Sequence, residues 1–105
     1  KMRITKGDMV EVISGNDKGL TGRVLEVYPK RNKVLVEGVN IRIKHERPSQ
    51  QNQKGGRMER EHPIDYSNLM VLDSDKVPTR VGIRFEEREG KEVPVRYAKT
   101  NGKDL

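Results

Sequence analysis

Residues 6–47 read KGDMVEVISGNDKGLTGRVLEVYPKRNKVLVEGVNIRIKHER. Val10 and Val12 alternate with Glu11, the spacing of a half-buried strand, which predicts a first strand over Asp8–Ser14. Gly15-Asn16-Asp17-Lys18-Gly19 is a turn cluster, and Gly19–Tyr28 a second strand. Gly22 inside that strand marks a bulge or a close approach of backbone. Pro29-Lys30-Arg31-Asn32 turns into a third strand, Lys33–Glu37, and Gly38-Val39-Asn40 into a fourth, Ile41–Lys44. In the fourth, Ile41 and Ile43 are expected to pack while Arg42 and Lys44 face outward.

Outward from this core the pattern changes. Glu46–Pro63 has no usable periodicity and is expected to be a long basic loop with its tip at Lys54-Gly55-Gly56-Arg57. Asn68–Leu72 reads as a closing strand, and Arg80–Phe85 with Val93–Tyr97 as a hairpin around Glu89-Gly90, with Pro94 on an edge. No helical period exceeds about a turn. The expected fold class is all-β: a small SH3-like barrel with a long basic loop and a C-terminal β-hairpin extension. The expected division is a barrel over 1–75 with an inserted loop at 46–63, then a hairpin and tail over 76–105.

The 105 residues are 31% apolar and 36% charged, a thin core under a heavily solvated surface. The net charge is +6 and the pI about 9.7, a balance that favours polyanionic partners. The excess is concentrated: residues 41–60 carry six Lys/Arg against two Asp/Glu, while residues 71–105 carry eight against seven. Cys is absent, which removes disulfides, thiolate metal sites and Cys nucleophiles together. No apolar run approaches the roughly 18 residues of a membrane span, so no membrane partner is expected. His45 and His62 lie 17 residues apart without metal-ligand spacing, and neither a Walker-type phosphate loop nor a hydrolase triad is present. No cofactor, small-molecule substrate or enzymatic activity is expected. Tyr28, Tyr66, Phe85 and Tyr97 are the whole aromatic set; with two or three of them expected in the core, too few remain for a base-stacking platform.

The candidate contacts are therefore cations and glycines that reach a phosphate backbone. Lys18, Gly19 and Arg23 flank the first turns, with Lys6 and Asn16 beside them; a glycine lets backbone N–H groups approach phosphate closely. Lys30, Arg31, Asn32 and Lys33 pack three cations and an amide into one turn. Asn40, Arg42, Lys44, His45 and Arg47 form the densest cluster, in which Asn can bond base edges or a 2′-OH and Arg can clamp phosphate bidentately. Lys54 and Arg57 complete the set at the loop tip.

Gly7-Asp8 through Asn40 resembles the KOW motif, with its centre in Ile13–Gly19 and Gly22-Arg23-Val24. KOW-type transcription elongation modules that bind RNA polymerase share that motif, but they carry a separate N-terminal domain. The continuation is more specific. Val36–Asn40, Lys44-His45, Arg47-Pro48, Gly55-Gly56, Glu61, Pro63-Ile64, Ser67-Asn68 and Pro78–Gly82 resemble the bacterial large-subunit ribosomal protein L twenty-four family. The resemblance implies a barrel bound to large-subunit rRNA beside neighbouring ribosomal proteins, near the outlet of the peptide exit tunnel, with an early role in subunit assembly in the cytoplasm. Some members of that family carry Cys pairs, resembling a zinc ribbon, on either side of the C-terminal hairpin. Here Leu72–Asp75 and Ala98–Thr100 stand in those regions, so no such metal is expected.

Overall fold

The computed structural model describes residues 2–46 and 56–105. Its strands are β1 (Met9–Val12), β2 (Thr21–Tyr28), β3 (Lys33–Val36), β4 (Ile41–Glu46), β5 (Gly56–Glu61), β6 (Ile64–Asp65), β7 (Leu69–Leu72), β8 (Pro78–Thr79), β9 (Val81–Arg88) and β10 (Lys91–Ala98). Six of them form one antiparallel sheet in the order β6-β3-β2-β1-β7-β8. A single 3-10 turn, Tyr66–Asn68, joins β6 to β7 and so brings two distant strands of that order together. Asp65 caps this turn by accepting the Ser67 N–H at 3.0 Å, and the Tyr66 N–H donates to the Asn32 carbonyl at 2.9 Å. The sheet thereby curls into the small SH3-like barrel expected of the sequence.

Curling depends on β2. Thr21–Arg23 pair with β1, Val24–Tyr28 pair with β3, and the register shifts between Val24 and Glu26. The bulge lies at that shift, while Gly22 supplies the close approach. A Cβ there would stand against the Glu37 carbonyl oxygen and 2.8 Å from Val36 Cγ1. The barrel interior is filled mainly by small β-branched side chains: Val10, Val12, Val24, Val34, Val36 and Val39 are each at most 2% exposed. They pack as one cluster with Ile4, Leu69 and Val71. None of the four aromatics belongs to it, contrary to expectation. Tyr66 packs at its margin, and Phe85 is 65% exposed. Alternating valines on short, strongly twisted strands leave an interior too narrow for rings.

Two expectations are corrected outside the barrel. Ile41–Lys44 does not join the barrel sheet; β4 pairs with β5 in a separate two-stranded ribbon, and Ile41 is 48% exposed. Part of the span expected to be loop, Gly56–Glu61, is the partner strand, so Arg57 sits in a ladder opposite His45 and not at a loop tip. Arg47 and Lys54 lie outside the described residues. The predicted C-terminal hairpin is present as β9–β10 and is longer than expected, reaching Arg88 and Lys91. The two arms explain a radius of gyration of 17.6 Å, against about 13 Å for a compact chain of this length.

The base of β9–β10 is fixed to the barrel. Arg96 donates to both carboxylate oxygens of Asp8, at 2.7 and 2.9 Å, and to the Arg3 carbonyl at 2.9 Å. Arg3 in turn donates to the Val81 carbonyl at 2.7 Å. The Leu72–Asp75 and Ala98–Thr100 segments are joined by a hydrogen-bond knot on the buried Asp73. Its carboxylate accepts the Asp75 and Val77 N–H groups at 2.8 and 2.9 Å and the Thr100 hydroxyl at 2.5 Å. Those donors, the Thr100 hydroxyl first, hold its pKa below the usual carboxylate value.

Candidate nucleic-acid interface

Three connections are tied together beside the barrel. The β1–β2 turn is shaped by Gly15 and Gly19, at φ 94° and 95°, in a region where a side chain would strain the backbone. Gly19 closes it by donating to the Val12 carbonyl at 2.8 Å. The Ser14 hydroxyl donates to Asn68 Oδ1 at 2.7 Å, joining this turn to the β6–β7 connection. Asp17 Oδ2 accepts the Asn40 N–H at 2.6 Å, joining it to the β3–β4 turn. A cleft between them is lined by Asn16, Asp17, Lys33, Asn40, Arg42 and Asp65, among others.

Asn40 is a clamp. It takes the left-handed conformation, φ 55°, and its side-chain amide donates to the His62 and Pro63 carbonyls at 3.3 and 3.2 Å. Its own carbonyl accepts the His62 N–H at 3.1 Å. The Gly38 N–H donates to Glu61 Oε2 at 3.1 Å, which lowers the Glu61 pKa. The base of the β4–β5 ribbon is thus locked to the barrel by Asn40 and Glu61. Asn32 is also a backbone residue first: at φ 53° it ends the 3-10 turn Pro29–Arg31.

The cations separate by how firmly they are engaged. Lys33 lies 3.6 Å from Asp65, whose pKa is lowered mainly by the Ser67 hydroxyl and N–H. Arg23 stands 3.9 Å from Glu37, both well exposed, a pair of little energetic weight. Arg31 lies over the Tyr28 ring at 5.4 Å, which orients the guanidinium without neutralising it. Lys6, Lys18 and Lys30 are exposed. Lys6 sits in the turn whose Gly7 N–H donates to the Val24 carbonyl at 2.9 Å. Lys44, His45 and Arg57 are placed by backbone register on the ribbon: Lys44 opposite Met58, His45 opposite Arg57.

Sequence reading missed one candidate. Arg60 stands directly opposite Arg42 across the ribbon, and both are exposed. Like charges directly opposite repel, and among the described residues neither has a carboxylate within salt-bridge distance. An anion between the two guanidiniums relieves that repulsion. Arg60 was hidden because GRMERE has only one apolar residue and so no strand signature. The cleft brings Asn16, Lys33, Asn40 and Arg42 together; Lys6, Arg23, Lys30 and Arg31 lie outside it, on other turns and strands. Among the described residues, no group of three or more His, Asp or Glu could hold a metal ion.

Residues 6–37 match the KOW motif, and residues 39–105 match the family model described as "Large ribosomal subunit protein uL24, C-terminal domain". Relatives extend the match to the whole chain. Large ribosomal subunit protein uL24 of Mycolicibacterium smegmatis is 56% identical over 99% of this chain and all of its own length. The uL24 protein of Corynebacterium urealyticum is 54% identical, and that of Mycobacterium bovis 53%, over the same shares of both chains. With one motif covering the first three barrel strands, a second model covering the rest of the chain from Val39, and full-length identity above half, the chain belongs to the large ribosomal subunit protein uL24 family.

Proposed function

We propose that this chain, by family a structural and non-enzymatic protein of the large ribosomal subunit, acts by binding large-subunit rRNA. The observation that carries the reading is the Arg42–Arg60 couple, two exposed cations in register across the ribbon with no carboxylate at salt-bridge distance among the described residues. From the turns and strands of the barrel, Lys6, Asn16, Lys18, Arg23, Lys30, Arg31 and Lys33 provide further phosphate contacts. Gly19 allows close backbone approach, while Asn32 and Asn40 set the shape of the interface. Lys44, His45 and Arg57 stand on the same ribbon, and Arg47 and Lys54 complete the proposed contact set. In this reading residues 1–75 form the RNA-binding barrel with its insertion, and residues 76–105 an extension toward neighbouring ribosomal proteins. A scaffold of this kind suits early assembly: the barrel is preformed, and the ribbon locked to its edge presents exposed cations to RNA. We place the ribbon near the rim of the peptide exit tunnel, following the family resemblance.

The test is Arg42→Glu with Arg60→Glu, with binding to large-subunit rRNA measured by filter retention across a salt series. Both side chains are exposed, so the fold is retained. Affinity falls at least tenfold, and the slope of log K against log salt becomes shallower by about 2. Unchanged affinity removes the ribbon from the interface.

A further inference from the structure

The outer part of the β9–β10 hairpin sets an apolar pair beside an acidic pair on one face. In β9–β10, Val81, Ile83, Phe85 and Glu87 share one face with their cross-strand partners Ala98, Arg96, Pro94 and Glu92. At the base this face is covered by the barrel: Val81 packs against the core, Ala98 is buried, and Arg96 holds Asp8. The opposite face is occupied there as well. Tyr97 lies over Gly82, and Arg84 lies 5.7 Å from the Tyr97 ring and pairs with Asp104 of the tail. Beyond the barrel edge the first face has no cover. Phe85 is 65% exposed, and Pro94 opposite it is exposed as well. The next pair outward is Glu87 against Glu92, two exposed carboxylates directly opposite each other. Among the described residues neither is in a salt bridge, whereas the neighbouring Glu86 is bonded by both Arg84 and Arg88.

We propose that this face of the C-terminal hairpin docks a basic protein segment. An apolar side chain of the partner would seat on Phe85 and Pro94, and a Lys or Arg beside it would lie between Glu87 and Glu92. Charge decides the class of occupant. Two like carboxylates in register repel each other and any phosphate, and a cation relieves the first repulsion. The Arg42–Arg60 couple on the other arm has the same geometry with the sign reversed. A large exposed aromatic is also the residue type that anchors protein interfaces. The proposal rests on membership of a ribosomal family and not on the rRNA reading of the ribbon.

The test uses purified large subunits that carry this chain with a diazirine analogue of phenylalanine at position 85, which labels protein and RNA alike. The expected result is an adduct to a Lys/Arg-rich segment of another protein. An adduct to rRNA, or no adduct beyond the chain itself, overturns the proposal. Glu87→Lys with Glu92→Lys in the same background lowers adduct yield about tenfold, and an unchanged yield overturns the proposal. Glu87→Gln with Glu92→Gln serves if charge reversal keeps the chain out of subunits. Yield then falls several-fold, and an unchanged yield overturns the proposal.

Discussion

Replacing Asn40 separates a residue that shapes the interface from one that touches RNA. Asn40 holds φ 55°, where an alanine costs about 1 kcal/mol and a glycine almost nothing. Either substitution removes the two amide bonds to the His62 and Pro63 carbonyls, which are long at 3.3 and 3.2 Å and together contribute about 1 kcal/mol. The N–H bond to Asp17 survives in both variants. Asn40→Ala should therefore lose about 2 kcal/mol and Asn40→Gly about 1. With a urea dependence of about 2 kcal/mol per molar, the unfolding midpoints fall by about 1 M and 0.5 M. Far-UV circular dichroism across a urea series measures both. Midpoints within 0.2 M of the parent, together with a tenfold loss of rRNA affinity, would refute the reasoning and return Asn40 to the contact set.

Gly22→Ala sets a Cβ against the Glu37 carbonyl, which the sheet cannot yield cheaply; a loss of about 1–3 kcal/mol is expected as a lowered thermal midpoint, and no loss would mean β2 and β3 are less close than described. Arg96→Met keeps the apolar stem but removes the Asp8 pair, whose side chains retain 21% and 13% exposure. About 1–3 kcal/mol should be lost, with hydrogen exchange of the β9–β10 amides accelerating before that of the barrel. Unchanged exchange would mean the hairpin is held by other contacts. The lowered pKa values of Asp73, Asp65 and Glu61 fix a sign: their contribution is complete above the ordinary carboxylate values and is lost as pH falls through the lowered ones, below about pH 4. Thr100→Ala removes the largest cause at Asp73, so stability near neutrality drops and the loss on acidification becomes smaller. An unchanged acid profile contradicts the assignment.

What was legible in the sequence was local. The valine alternation placed β1 and β3, and the Gly-rich cluster placed the turn between β1 and β2. Glu89-Gly90, both at positive φ, announced the C-terminal hairpin. Gly22 was readable as a close approach because a strand interior seldom tolerates glycine otherwise. The misses arise where burial does not set the pattern. GRMERE shows no apolar alternation, so β5 was indistinguishable from loop, and Ile41 and Ile43 suggested packing to a strand that pairs outside the barrel sheet and whose Ile41 is 48% exposed. The long-range ties were invisible as well: Arg96 reaches Asp8 across 88 residues, and no local spacing reports that. At the candidate site, charge picked out the candidate residues but could not say which ones act through structure. Asn40 and Arg42 stand two residues apart, yet one clamps backbone while the other is exposed and, among the described residues, has no carboxylate at salt-bridge distance.

The most direct test of the central claim is crosslinking of the native protein to RNA in a cell lysate at two salt concentrations, with the attached RNA sequenced. The account predicts one dominant large-subunit rRNA site that survives the higher salt, with crosslinks concentrated on the β4–β5 ribbon. Scattered, salt-labile RNA, or transcripts associated with RNA polymerase, would contradict it.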